Sequence, residues 1–277
     1  MIRYEHPKVM GIVNVTPDSF YRENRYLSQD DFIAACTQMV EDGADIIDIG
    51  ACSTRPGSLL VSEDREWELL RPIVKIIPRH FPALTFSIDT FRAGIVERVY
   101  DITGNFTIND ISAGEDDDRM LPLAAKLGLP YIAMHKRGTP QTMQSHTDYE
   151  NIVQDICKYF TDFISKAKSA GIKDIIIDPG FGFAKTVEQN YTLLKSLRSF
   201  KFENGEGGYY PLLAGLSRKG MIWKPLSITP DEALPATTAL NLQALLNGAD
   251  ILRVHDVKEA KQIVTIYHQL ISGEASI

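Results

Sequence analysis

The sequence predicts a single α/β domain over residues 1–277: a closed (β/α)₈ TIM barrel with its active site at the C-terminal ends of the strands. Three observations carry this. Eight short apolar runs, rich in β-branched residues, recur along the chain. Longer amphipathic stretches separate them, as helices do in a strand–helix repeat. Nearly every apolar run also ends in a polar group that packing does not require, and a parallel barrel gathers its chemistry at such ends.

Residues 9–15 form the first expected strand and run into Thr16-Pro-Asp-Ser-Phe20. Residues 46–49 form the second and lead to Gly50-Ala-Cys-Ser-Thr-Arg-Pro-Gly57. Phe86-Ser-Ile-Asp-Thr90, Thr107-Ile-Asn-Asp110, Tyr131-Ile-Ala-Met-His135 and Ile175-Ile-Ile-Asp-Pro-Gly180 follow. Leu212-Leu-Ala-Gly-Leu-Ser-Arg-Lys219 and Ile251-Leu-Arg-Val-His-Asp256 complete the set. Between them, 31–42 carries Phe32, Ala35, Cys36, Met39 and Val40 at helical spacing, and 149–170 carries a stripe from Ile152 to Ile164. Gly43, Gly128, Gly171 and Gly248 stand where helices need a C-cap. Residues 191–202 and 237–246 offer apolar helical faces for a partner copy. The first strand is not followed by Gly-x-Gly-x-x-Gly, which argues against a dinucleotide site.

A hydrophobic fraction of 44% supports a large core, and a net charge of -7 argues against nucleic-acid or membrane-surface partners. Any anionic ligand then needs a local cluster of cations. The three cysteines, Cys36, Cys52 and Cys157, lack metal-like spacing and read as reduced thiols. The first residues show no signal-peptide pattern and no run is long enough to span a membrane, so the expected location is the cytoplasm.

Four groupings are chemically suggestive. Asp48, Asp89, Asn109 and Asp178 end strands two, three, four and six. Buried carboxylates beside an amide suit a flat heterocycle rich in N–H groups, whose guanidine-like edge would pair bidentately. The alternative is helix capping and loop hydrogen bonds. Arg55, Lys219, Arg253 and His255 follow strands two, seven and eight, where barrels often bind phosphate; the alternative is a set of surface ion pairs. Thr16-Pro-Asp-Ser-Phe20 and Ser53-Thr-Arg-Pro-Gly57 read either as plain turns or as lids that exclude water. Asn14, ending strand one, offers an amide oxygen to a hard cation such as Mg²⁺.

Taken together, the segment from Met10-Gly-Ile-Val-Asn-Val-Thr-Pro-Asp-Ser-Phe20 to Arg253-Val-His-Asp256 resembles the dihydropteroate synthases, with Ser53-Thr-Arg-Pro-Gly57, Asp178-Pro-Gly-Phe-Gly-Phe183 and Ser217-Arg-Lys219 as further matches. The resemblance implies a transferase that condenses 6-hydroxymethyl-7,8-dihydropterin diphosphate with para-aminobenzoate, releasing pyrophosphate. It implies that Asp89, Asn109, Asp178 and Lys219 hold the pterin. It assigns Asn14, Arg55, Arg253 and His255 to the pyrophosphate, with Mg²⁺ at Asn14. Thr54, Pro56, Phe183 and Ser217 would form the aminobenzoate pocket, and Asp18 would steady positive charge developing on the pterin. A homodimer and sensitivity to sulfonamides are also implied.

Some positions depart from the family pattern. Cys52 stands where Glu or Gln is common, and Tyr21-Arg-Glu-Asn24 replaces a Ser-Asp-Gly-Gly-like run. Two rival readings remain at this stage. A methyltetrahydrofolate–corrinoid methyltransferase shares the barrel and the pterin-binding carboxylates but does not need the cationic set. A catalytically silent, pterin-binding paralogue is the other; Asn14, Asp89, Arg253 and His255, whose loss would favour it, are all present.

Overall fold

The computed structural model describes residues 2, 4–15, 28–52, 58 and 60–272. Eight strands alternate with helices. The strands are β1 (Lys8–Asn14), β2 (Ile46–Gly50), β3 (Phe86–Asp89), β4 (Thr107–Asp110), β5 (Tyr131–Met134), β6 (Ile175–Asp178), β7 (Leu213–Ala214) and β8 (Ile251–Val254). The helices are α1 (Gln29–Glu41), α2 (Glu63–Val74), α3 (Ile77–His80), α4 (Ala93–Thr103), α5 (Met120–Leu127), α6 (Ile152–Ala170), α7 (Val187–Lys195), α8 (Gly220–Leu226), α9 (Leu234–Leu246) and α10 (Val257–Ser272). Every ladder is parallel, in the order β6-β5-β4-β3-β2-β1-β8-β7. A parallel bridge between Ile177 and Leu212 joins β6 to β7 and closes the barrel.

Alternation along each strand sorts side chains into two layers. Val9, Val13, Ile47, Ile49, Ile88, Ile108 and Ile177 face the helices and form the main core. Met10, Ile46, Ile132, Ile176, Leu213 and Ile251 point the other way and fill the lower barrel interior, with Ile2 and Tyr4 against them. Both faces are therefore apolar, which is why the strands read as runs rather than as alternating patterns.

The helix starts carry local chemistry. Ser28, Ser62 and Asn151 cap α1, α2 and α6 through their side chains, and Thr186 with Gln189 makes a capping box on α7. Gly128 and Gly171 cap α5 and α6 as expected. The expected helix over 149–170 begins at Ile152 instead, because Asn151 is the cap and Tyr149 lies outside, against Arg137.

The partner face expected over 191–202 needs correction. It is not one helix: α7 stops at Ser196 and a single 3₁₀ turn follows. Leu193, Leu194, Leu197 and Phe200 are buried in this chain's own core. Along 237–246, Thr237, Asn241, Ala244 and Leu245 are buried, with α9 packed on α10, while Leu240 and Leu242 are half-buried and Leu246 is exposed. Apolar spacing alone does not tell a core face from an interface. No helix among the described residues is long and apolar enough to cross a membrane.

Candidate active site

Most side chains one step above the apolar interior layer are polar, Ile12 and Met134 excepted. Strand register places Asn14 beside Gly50, Gly50 beside Asp89 and Asp89 beside Asn109. Gly50 keeps this level open: a Cβ there would stand 3.2 Å from the Cβ of Asp89. On the opposite wall Met134 is paired with Asp178.

Arg253 is the hub. Its Nε donates to Asp48 Oδ2 at 2.7 Å, and its terminal nitrogen donates to Asp89 Oδ2 at 2.8 Å. Asp48 is fully buried and also accepts from Ser87 Oγ and, at 3.1 Å, from Asn109 Nδ2. A carboxylate in such a place costs several kcal/mol unless it is paired and hydrogen-bonded, and Asp48 is both. Burial works against the charge of Arg253, but Asp48 and Asp89 outweigh it and hold the guanidinium firmly ionised. Burial pushes the Asp89 carboxyl up to about 7, with Arg253 opposing and Asp48 reinforcing the shift.

Asp178 ends β6 and accepts from the Gly180 amide at 2.8 Å. Burial raises its pKa, and Lys219 opposes this. Burial pushes Lys219 down to about 8, with Asp178 pulling the other way. The Lys219 ammonium donates to the Phe181 carbonyl and stands 4.9 Å from the centroid of the Phe183 ring. Phe183 packs against an apolar group made by Cys52, Phe91, Ile111 and Met134. The mouth thus joins a polar floor to an apolar wall, the usual make-up of a small-molecule site.

Ser217 and His255 form a second group. Ser217 Oγ lies 3.0 Å from His255 Nδ1 and accepts from the His255 amide at 3.2 Å. Beside them Arg218, at φ 55°, makes two hydrogen bonds to Asp256, through Nε at 2.9 Å and through a terminal nitrogen at 2.5 Å. That bidentate pair ties the turn after β7 to the end of β8.

The structure therefore brings Asp89, Asn109, Asp178, Lys219 and Arg253 to one mouth, with Phe183 on its wall and Ser217 and His255 at its β7–β8 side. Arg253 pairs with the carboxylate floor rather than standing beside His255. Asp48, read from sequence as one more acceptor for a heterocycle, already has its partners within the protein. Asp18, Thr54, Arg55 and Pro56 lie outside the described residues. Cys52 is buried, and burial, followed by the charge of Glu66, pushes its thiol up to about 11.

Sequence reasoning missed Lys185. It is buried, and its amine lies among the carbonyls of Gly180 and Phe183 and the ring of His135. The available signal was its place at the end of the glycine-rich run, directly before the Thr186 cap.

Among the described residues no group of three or more His, Cys, Asp or Glu could hold a metal ion. Half-buried Asn14 offers one amide oxygen at the rim. A single neutral oxygen fits Mg²⁺, which keeps most of its waters and takes further ligands from substrate phosphates.

Comparison with known proteins agrees with this geometry. Residues 10–255 match the pterin binding enzyme family. The dihydropteroate synthase of Escherichia coli K12 is 38% identical over 271 residues, covering 97% of this chain and 93% of that one. The Yersinia pestis dihydropteroate synthase in a sulfonamide drug complex superposes with a TM-score of 0.89 at 36% identity, covering 96% of this chain and 95% of that one. The Burkholderia cenocepacia enzyme complexed with 7,8-dihydropteroate gives a TM-score of 0.88 at 33% identity, covering 99% and 95%. With the barrel, the matched span and these relatives in agreement, the chain belongs to the pterin binding enzyme family, within its dihydropteroate synthases, transferases of folate biosynthesis.

Proposed function

We propose that this chain makes 7,8-dihydropteroate and pyrophosphate at the barrel mouth, from 6-hydroxymethyl-7,8-dihydropterin diphosphate and para-aminobenzoate. The observation that carries the reading is the cluster of Asp89, Asn109, Asp178, Lys219 and Arg253 on one level of the barrel. It offers acceptors and donors to a flat heterocycle with a guanidine-like edge.

Asp178 and Asn109 bind the pterin edge, and Lys219 donates to its ring acceptors. Asp89 is held by Arg253 until the pterin arrives. Asp48 keeps a grip on the guanidinium throughout, so Arg253 stays charged and in place when Asp89 turns to the ligand. Arg253, His255 and Arg55 then face the diphosphate and spread its charge as it leaves. Bound at Asn14 and the diphosphate, Mg²⁺ would supply further counter-charge. Asp18 steadies the cation left on the pterin methylene, and the two loops exclude water from it. Phe183, Thr54, Pro56 and Ser217 orient aminobenzoate so that its amine, neutral at pH 7, attacks that carbon. The protein acts as a homodimer in the cytoplasm, as the family resemblance implies.

The test is pyrophosphate release from purified protein with dihydropterin diphosphate, Mg²⁺ and para-aminobenzoate, each left out in turn. Release that requires both organic substrates, with equimolar dihydropteroate, is expected. Release that ignores aminobenzoate would overturn the reading. A sulfonamide is expected to raise the aminobenzoate KM without changing kcat; inhibition that excess aminobenzoate cannot relieve would place it elsewhere.

A further inference from the structure

Lys185 makes no close ion pair among the described residues, although the charge of Asp178 reaches it at longer range, and only 3% of its surface is exposed. Its Nζ donates to the carbonyl of Gly180 at 2.9 Å and to that of Phe183 at 2.8 Å. It stands 3.1 Å from His135 Nδ1, and the His135 carbonyl is 3.4 Å away. These acceptors belong to two structures: the turn after β6 and the end of β5. The same turn presents its Phe181 carbonyl to Lys219, on the substrate side, and carries the Phe183 ring beneath that lysine. One amine therefore takes the carbonyls on either side of Phe181 while the substrate-side lysine takes the one between.

The turn has little freedom to find this shape unaided. Gly180 sits at φ 72°, and a Cβ there would lie 2.1 Å from the His135 carbonyl oxygen. Removing the amine would take from the Phe183 carbonyl the donor it has among the described residues and leave the Gly180 carbonyl with the Phe183 amide alone, at 3.1 Å. His135 lets the anchor work in either protonation state. As an ammonium, Lys185 gives its three protons to the two carbonyls and to Nδ1. As a neutral amine it gives two to the carbonyls, and its lone pair accepts from Nδ1–H of the other imidazole tautomer. Burial disfavours the charge on both partners, lowering the pKa of each.

We propose that Lys185 is a positioning residue for the pterin and aminobenzoate seats. Through the Gly180 and Phe183 carbonyls it sets the turn that aims Lys219 and places the Phe183 ring. This rests on the reaction proposed above, so wild-type turnover is measured first and ligand binding is followed separately by calorimetry.

Lys185→Met removes both donors, and Lys185→Gln keeps an amide N–H pair on a chain one bond shorter. Affinity for 7,8-dihydropteroate, which spans both seats, is expected to fall at least ~10-fold in Lys185→Met and about 3-fold in Lys185→Gln. Affinity for pyrophosphate with Mg²⁺, on the far side of the mouth, should stay within about 2-fold in both, because additivity holds for sites without shared partners. Equal affinities in wild type and Lys185→Met would overturn the proposal. So would pyrophosphate binding that falls in step with dihydropteroate, since a general loss of structure predicts that. If Lys185→Met does not fold, Lys185→Gln decides alone, and wild-type dihydropteroate affinity in it overturns the assignment. Absence of turnover in the unsubstituted protein would overturn the reaction and leave these binding comparisons intact as the measure of the anchor.

Discussion

The lower and upper halves of the barrel interior are built by the same strands two residues apart, and they behave as opposites. Ile46 lies below Asp48, Ile132 below Met134, Ile176 below Asp178 and Ile251 below Arg253. The lower side chains are apolar, buried and gain by staying where they are. Of the upper ones Met134 belongs to the apolar wall, while Asp48, Asp178 and Arg253 are charged groups held at unfavourable cost, relieved in part by their neighbours. One pleat step thus separates a layer that stabilises the fold from one that spends stability to be ready for a ligand.

The largest effect should come from removing the hub of the upper layer. Arg253→Ala takes the guanidinium from two carboxylates at once and leaves Asp48 buried among Ser87 and Asn109 without a counter-charge. Breaking such a pair costs roughly 3–5 kcal/mol. We expect a clearly lower Tm, and kcat/KM for the diphosphate substrate lower by about 10³ through lost electrostatic stabilisation. An unchanged melting curve would show that the floor does not depend on this residue.

The next pair puts the two layers in direct competition on β6. Ile176→Ala opens a cavity in the lower layer and should cost about 2–5 kcal/mol of stability, with kcat/KM in the folded fraction near wild type. Asp178→Asn should do the reverse. Burial raises the pKa of this carboxyl, so the folded state bears a penalty above the unfolded pKa, and removing the charge relieves it. Turnover is expected to fall by about 10² or more as the pterin contact is lost, with Tm unchanged or higher at pH 7. If both variants lost stability and activity alike, the division between layers would not stand.

The sequence showed the upper layer more clearly than the connections within it. The eight strands were legible because each is short, β-branched and buried on both faces, and the site residues because they end those strands. Three things were not. Asp48 and Asp89 look identical in sequence, yet one is committed to Ser87, Asn109 and Arg253 while the other keeps only Arg253 among these; strand register decides that. Lys185 escaped notice because its one signal, a place after a glycine-rich run and before a helix cap, does not tell a buried lysine from an exposed one. Residues 191–202 carry helical spacing, but Ser196 ends α7 and the following apolar residues turn inward, so tertiary packing overrode the local signal.

A smaller effect sharpens the electrostatic side of the comparison. Asp89 offers the pterin its full, charge-assisted acceptor set when ionised, and Lys219 donates most strongly when protonated. With the carboxyl pushed up to about 7 and the ammonium down to about 8, the free enzyme has both groups in the required form over a narrow window. The profile of kcat/KM for the dihydropterin substrate should be a bell, falling below about pH 7 and above about pH 8. Asp89→Asn should lower the plateau and remove the acid limb. A profile flat from about pH 6 to 9 would mean that neither group titrates in the free site.

The smallest effect expected is at Cys52. The residue sits at the top of β2, close to the floor, yet it belongs to the apolar wall with Phe91, Ile111 and Met134. Burial pushes its thiol up to about 11, so almost none is thiolate at pH 7, and the thiolate is the reactive form. It should therefore behave as a small hydrophobe. Cys52→Ser places a hydroxyl in that wall and is expected to cost about 1 kcal/mol of stability while kcat/KM changes less than about 3-fold. Alkylation by iodoacetamide should be slow at pH 7 and should speed up only on unfolding. Rapid alkylation at Cys52 of the folded protein, resolved from half-exposed Cys157 by peptide mapping, or a large fall in kcat/KM on substitution, would move Cys52 from the wall to the site and blur the boundary between apolar packing and polar readiness.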